Sequence, residues 1–204
     1  MEKLAEIQYP IHDLLRRRWS PRAFSSRPVE PDKLRSLWEA ARWAPSSYNE
    51  QPWSFIVATK DDEAEYARLL SCLVEGNIQW AQHAPVLMVS VARLSFEEDG
   101  KPNRHAFHDV GQAVSNLIVQ ATALGLVVHQ MAGIFPDKIR ELYGIPEGYE
   151  AVAGIALGYP GDPEILPERL RQRELAPRSR KPIRDFVFAG RWGRPSPIVT
   201  GDGS

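Results

Sequence analysis

Ala44-Pro45-Ser46-Ser47-Tyr48-Asn49-Glu50-Gln51-Pro52-Trp53-Ser54-Phe55-Ile56-Val57-Ala58 carries a change of hydrophobic period, and that change decides the fold. Upstream of it, Leu34, Leu37, Trp38 and Ala41 fall at i, i+3, i+4 and i+7, one face of a helix. Pro31 suits that helix's first turn and Pro45 ends it. Downstream, Trp53 to Ala58 is aromatic and β-branched and reads as a strand. The same exchange recurs along the chain. Pro85 to Ala92 is a continuous apolar run of strand length, as expected of a strand covered on both faces. From about Asn103 to Leu124, Val110, Ala113, Val114, Leu117, Ile118 and Ala121 keep helical spacing, with Gly125 as a C-terminal cap. Ala151 to Leu157 reads as another buried strand, ended by Gly158-Tyr159-Pro160-Gly161.

Shorter signals fill the gaps. Ile11, Leu14 and Leu15 mark a short helix ending near Arg18, and Pro21 breaks it. Asp61 to Leu73 looks helical, Leu126 to Val128 suits a short strand, and Pro136 to Tyr143 reads as a helix closed by Gly144. Helices alternating with a few buried strands indicate a layered α/β or α+β domain. The Pro-rich segment from about residue 161 has few periodic apolar residues. It looks poorly suited to packing on its own chain and suited to wrapping a partner, and Gly and Pro beyond Ala189 suggest a frayed end.

Composition excludes several classes. The chain has 204 residues, 43% hydrophobic and 25% charged, enough apolar mass for one ordered domain spanning 1–204 with an extension from about 161. No run of ~18 apolar residues exists, so no membrane span is expected, and Met1 to Glu6 lacks a signal peptide's apolar core. A single cysteine, Cys72, among Leu69, Leu70, Leu73 and Val74, reads as a packed core thiol and makes a cytoplasmic setting the simplest one. Twenty-five basic against 26 acidic residues leave a formal charge of −1, unlike a general nucleic-acid binder. The charge is uneven, however. Arg169, Arg171, Arg173, Arg178, Arg180, Lys181, Arg184, Arg191 and Arg194 stand against only Glu174 and Asp185, and Arg16, Arg17, Arg18 and Arg22 cluster near the start. There is no G-x-S-x-G elbow, no P-loop and no G-x-G-x-x-G fingerprint. His105 and His108 form the only close histidine pair; no Cys or Glu cluster joins them, so no metal site is expected.

Three polar segments exceed what a plain core needs. Arg18-Trp19-Ser20-Pro21-Arg22-Ala23-Phe24 offers guanidinium groups and a hydroxyl at a chain break, a donor set that suits phosphate, although a surface loop has the same composition. In Pro45 to Pro52, two prolines stiffen a stretch of hydroxyls and amides, a lining for a flat heterocycle or simply a helix-to-strand turn. Arg178-Ser179-Arg180-Lys181-Pro182 is either a second phosphate arm or an ordinary basic tail.

Taken in order, these segments resemble the FMN-dependent nitroreductase family. The R-x-S-x-[RK]-x-F loop is Arg18 to Phe24, and the specific P-S-S-x-N-x-Q-P-W loop is Pro45 to Trp53. A long helix ends in Leu-Gly-Leu at residues 124–126, an L-G-Y-P turn follows at 157–160, and a basic segment lies at 178–182. The resemblance spans roughly residues 10 to 185. It implies an α+β, three-layer sandwich with a mixed, mostly antiparallel sheet flanked by helices, in a homodimer that exchanges C-terminal segments and holds FMN at the interface. By the same resemblance, Arg18, Trp19, Ser20 and Arg22 surround the FMN phosphate and ribityl chain, with Arg178 and Arg180 closing on it. Pro45, Ser46, Ser47, Asn49 and Gln51 come from the other subunit near the isoalloxazine ring. Asn77 meets the pyrimidine edge, and Met131, Ala132 and Gly133 pass near flavin N5. Two residues depart from the pattern. Trp19 stands where members often carry a polar or small residue. Trp80 stands where several carry lysine, and either stacks over the substrate pocket or lies in the core.

The implied activity is NAD(P)H-dependent reduction of nitroaromatics, quinones or related acceptors. Donor and acceptor would use one site in turn, in ping-pong fashion. No single acid–base residue is singled out as catalytic. Dehalogenation or flavin fragmentation on the same fold is the nearest alternative. A non-catalytic phosphate or nucleic-acid binder is a more distant one.

Overall fold

The computed structural model describes residues 3–200. Met1 and Glu2, the start of the N-terminal stretch read above, and residues 201–204 of the expected frayed end lie outside the described residues. The strands are β1 (Trp53–Thr59), β2 (Val86–Arg93), β3 (Val127–Met131) and β4 (Tyr149–Gly158), in the order β1-β2-β4-β3. Every pairing between them is antiparallel. The helices are α1 (Asp13–Arg17), α2 (Pro31–Arg42), α3 (Glu63–Leu70), α4 (Glu75–Ala81), α5 (Ala106–Ala123), α6 (Pro136–Tyr143), α7 (Glu168–Leu175) and α8 (Pro197–Thr200).

The sheet is covered on both faces, which is why its strands read as apolar runs. Along β2, Val86, Met88 and Ala92 face the cluster built by α2 and α5, whereas Leu87, Val89 and Val91 face the one built by α3, α4, α6 and α7. On β4 the phase switches. Ile155 and Leu157 face α5, but so does Val152 on the far side of a register shift, while Ala151 turns the other way. An extra residue in β4 opposite Ser90 and Val91 accounts for this flip. The result is a helix–sheet–helix sandwich of α+β class, as expected. No helix among the described residues is long and apolar enough to cross a membrane.

The region read as one helix, 61–73, is α3 alone, and α4 follows it after Cys72 and Leu73, both buried. The expectation that the segment after 161 packs poorly on its own chain is corrected. Leu166 and Leu170 are buried in the α3/α4/α6 core, and α7 forms around them. Beyond Ala189 the chain makes local contacts through residue 200. Phe188 and Pro195 bridge, Ala189 N–H donates to Arg194 O, and Ser196 N–H donates to Val187 O. Trp192 and Ile198 on this stretch, and Phe186 just before it, are exposed.

Candidate functional site

The two basic ends of the sequence meet. α1 ends in a C-cap at Arg18, where the backbone turns extended and carries Trp19 to Phe24 across the end of the sheet. Phe24 bridges Pro160 just beyond β4, and Gly161 N–H donates to Ala23 O. A Cβ on Gly161 would lie 2.4 Å from the Phe24 carbonyl carbon, so only glycine permits this crossing. From the other end, α7 runs into Ala176 and Pro177 and delivers Arg178 and Arg180. Arg18, Trp19, Ser20, Arg22, Arg178 and Arg180 thus line one cleft of about 290 Å³.

Electrostatics in this cleft are lopsided. Among the described residues none of Arg18, Arg22, Arg178 and Arg180 makes an ion pair. Burial, and then the charges of Arg178 and Arg180, lower the Arg18 guanidinium's proton affinity, and burial followed by Arg180 lowers that of Arg178. Converging, partly desolvated guanidiniums outnumber the one carboxylate in the wall, Glu174, whose oxygens are turned to backbone N–H groups; such a surplus is costly alone and complementary to an anion. Arg18 Nη1 reaches Ser20 Oγ at 3.3 Å, and Arg178 Nη1 donates to Lys3 O at 2.8 Å and Arg16 O at 3.0 Å. Lys3 Nζ sits 4.8 Å above the Trp19 ring, so that tryptophan caps the cleft's N-terminal wall.

Under the loop lies a small network that sequence reasoning missed. Glu174, 1% exposed, accepts from the Arg22 N–H (2.9 and 3.0 Å to its two oxygens) and from the Ala23 N–H at 3.1 Å. His129 of β3 approaches Pro21 O at 2.9 Å through Nδ1; a carbonyl only accepts, so Nδ1 carries the hydrogen. Burial, ahead of the Arg22 charge, holds the His129 pKa down at about 4, so the ring is neutral at pH 7. Trp80 packs on His129 with centroids 4.4 Å apart and stacks on Phe24 at 6.2 Å. At 2% exposure it belongs to the core, which decides between the two positions left open for it.

One turn of α4 before Trp80, Asn77 donates through Nδ2 to Gly133 O at 2.9 Å. A Cβ on Gly133 would meet Val74 Cγ2 at 2.6 Å and Asn77 Nδ2 at 2.7 Å, so a larger residue there would have to displace those two side chains. Asn77 and Gly133 therefore form one corner just past the end of β3, with Ala132 between it and the strand, and none of the three lines the arginine cleft. Met131 is buried behind it.

The remaining group lies elsewhere. Pro45, Ser46, Ser47, Asn49 and Gln51 sit at the start of β1, the opposite edge of the sheet. Tyr48, Asn49 and Gln51 all have positive φ (53, 59 and 49°), a strained loop held by named anchors. Buried Asp109 on α5 accepts from Ser47 N–H at 2.9 Å. Ser46 Oγ accepts from Gln51 N–H at 3.0 Å, and Glu50 pairs with Arg93 at 2.6 Å. Asn49 and Gln51 line a second hollow of about 470 Å³ with Arg93 and Tyr149. Three strand spacings and six residues along β1 separate Pro52 from the level of His129, about 25 Å in all. Within one chain the loop and the cleft do not meet.

A family model described as "Nitroreductase family" matches residues 15–159. The chain belongs to the nitroreductase family. As a member it is an oxidoreductase by family, and the match takes in both the arginine loop and the Pro45–Trp53 loop. A solved structure described as an oxidoreductase containing FMN is 40% identical, with a TM-score of 0.88 over 93% of this chain and 96% of that one. An FMN-dependent nitroreductase from Clostridium difficile is 28% identical, with a TM-score of 0.62 over 73% of this chain and 87% of its own. An NADH dehydrogenase from Thermus thermophilus is 28% identical across 81% of this chain and 95% of its own.

Proposed function

We propose that this nitroreductase-family chain, acting as one unit over residues 1–204 with its extension from about 161, binds FMN. In our reading it uses NAD(P)H to reduce nitroaromatic, quinone or related acceptors. The observation that carries this reading is the cleft of unpaired guanidiniums, whose charge and size fit a phosphate dianion. Arg18, Ser20, Arg22, Arg178 and Arg180 would hold that phosphate, with Trp19 against the ribityl chain. Asn77 and the Met131-Ala132-Gly133 corner would meet the ring, Asn77 through its free Oδ1 because its Nδ2 is committed to Gly133. When bound, the flavin supplies acceptance of hydride from a nicotinamide and its delivery to an acceptor.

The distance between cleft and loop supports a dimer in which Pro45, Ser46, Ser47, Asn49 and Gln51 come from the second copy. The strained but anchored backbone from Tyr48 to Gln51 presents amides and hydroxyls with little freedom left to lose on binding. The exposed Phe186, Trp192 and Ile198 suit a C-terminal segment that embraces that copy. Orientation and exclusion of water are then the protein's contribution; no side chain of the cleft is assigned a proton-transfer role.

The test is spectroscopic and kinetic. Purified protein absorbing near ~450 nm and releasing FMN on heating supports the reading. Parallel double-reciprocal plots with NADH or NADPH and a quinone support one site used in turn. A colourless protein that gains no flavin signal from added FMN contradicts it.

A further inference from the structure

A carboxylate in the wall of an anion cleft is electrostatically out of place, since it repels the ligand that the arginines attract. Glu174 nevertheless lines the arginine cleft and is 1% exposed. Both its oxygens are occupied by main-chain donors, Arg22 N–H at 2.9 and 3.0 Å and Ala23 N–H at 3.1 Å. It sits in the last turn of α7, four residues before Arg178, so the element that grips the loop also delivers the opposite wall. Three further hydrogen bonds run between the chain's ends. Arg178 Nη1 donates to the carbonyls of Lys3 and Arg16, and Lys3 Nζ donates to the Glu174 carbonyl. Each tie joins a side chain to main chain. Together they fix backbone and leave the guanidiniums of Arg18, Arg22 and Arg180 free of carboxylate partners.

We propose that Glu174 is a positioning residue for the cofactor phosphate: by its reach and its hydrogen bonds, not its charge, it clamps the main chain at Arg22 and Ala23 so that the loop's arginines face Arg178 and Arg180. This inference rests on the flavin reading given above. A competing role, simple dilution of surplus positive charge, makes the opposite prediction. Neutralising Glu174 would then tighten phosphate binding. The clamp predicts weaker binding, because Glu174→Gln keeps one oxygen for the two N–H groups but sets an amide donor where Oε2, 3.0 Å from Arg22 N, shared the Arg22 N–H.

The experiment titrates flavin-free full-length protein with FMN and, separately, with riboflavin, which lacks the phosphate, following flavin fluorescence. Wild type, Glu174→Gln and Glu174→Asp are compared, with thermal melting of each apoprotein. The clamp predicts FMN affinity weakened roughly 10- to 100-fold in Glu174→Gln. Glu174→Asp, which keeps the charge but loses one methylene of reach, is weakened as well. Riboflavin affinity stays unchanged in both. If Glu174→Gln melts below the assay temperature, Glu174→Asp carries the test. FMN binding in Glu174→Gln as tight as wild type or tighter overturns the clamp. So does a Glu174→Asp variant indistinguishable from wild type, and so does an equal loss for both flavins. A wild-type protein that responds to neither flavin overturns the flavin reading itself, and this inference with it.

Discussion

Arg18→Ala separates binding from stability, and the two should move differently. In the free protein Arg18 is partly desolvated, faces Arg178 and Arg180, and among the described residues its guanidinium has one hydrogen-bond contact, to Ser20 Oγ at 3.3 Å. Its removal relieves like-charge repulsion while giving up the packing of its aliphatic stem. These effects oppose each other, so the apoprotein's stability should change by less than ~1 kcal/mol, or about 2–4 °C in melting temperature. With phosphate present, the same guanidinium is a charge-assisted donor worth ~1.5–3 kcal/mol. FMN affinity should therefore fall roughly 10- to 150-fold, while riboflavin affinity holds. Arg18→Lys, a point charge without the fork, should fall between. Fluorescence titration of both flavins at fixed ionic strength, with calorimetry of the apoprotein, reads both quantities. An FMN affinity within about twofold of wild type would refute the phosphate assignment, because no lost charge-assisted contact is that small. A melting temperature lower by ten degrees or more, about 3 kcal/mol, would recast Arg18 as structural.

Three further outcomes follow from the same geometry. The pKa of His129 falls from 6.5 to about 4 on folding, so the unfolded chain binds that proton first as pH drops. Stability should be full above pH 6.5 and fall by about 3 kcal/mol towards pH 4, and His129→Gln, which can still donate to Pro21 O, should flatten that part of a denaturation-versus-pH curve. Ser47→Trp should leave the protomer folded yet lower flavin content by roughly 10- to 100-fold, because the added ring needs space in the neighbouring copy's site; unchanged flavin per chain on gel filtration would remove the loop from the site. Gly161→Ala drives a methyl to 2.4 Å from the Phe24 carbonyl carbon, where no flexible side chain can yield. It should cost ~1–3 kcal/mol and several degrees in a thermal melt, and an unshifted melt would show that the crossing relaxes freely.

Much of this molecule was legible in its sequence because burial writes a period into it. The stripe of α5 and the apolar runs of β2 and β4 exist because each is covered by other elements, and they were found within a few residues. Elements whose buried positions are few or polar were not found. α7 shows the core only Leu170 and, one turn on, the Glu174 carboxylate, so no apolar period marks it. α4 is short and follows α3 without a proline or glycine between them. β3 runs past Val128 because His129 packs on Trp80 and hydrogen-bonds Pro21, contacts that composition does not announce. In the candidate site, charge and motif picked out the arginines and the Pro45–Gln51 loop. Three-dimensional closure alone brought Arg18 to Arg178 and Arg180 and kept the loop on the other edge. Glu174 and Asp109, the carboxylates that hold those two segments, look in sequence like any surface acid, and only their backbone hydrogen bonds identify them.

The account stands most directly on a crystal structure of the protein grown with FMN. It predicts the phosphate between Arg18, Arg178 and Arg180, and the ring against Ser46 and Ser47 of a second copy. A phosphate bound elsewhere, or a flavin held wholly within one chain, would contradict it.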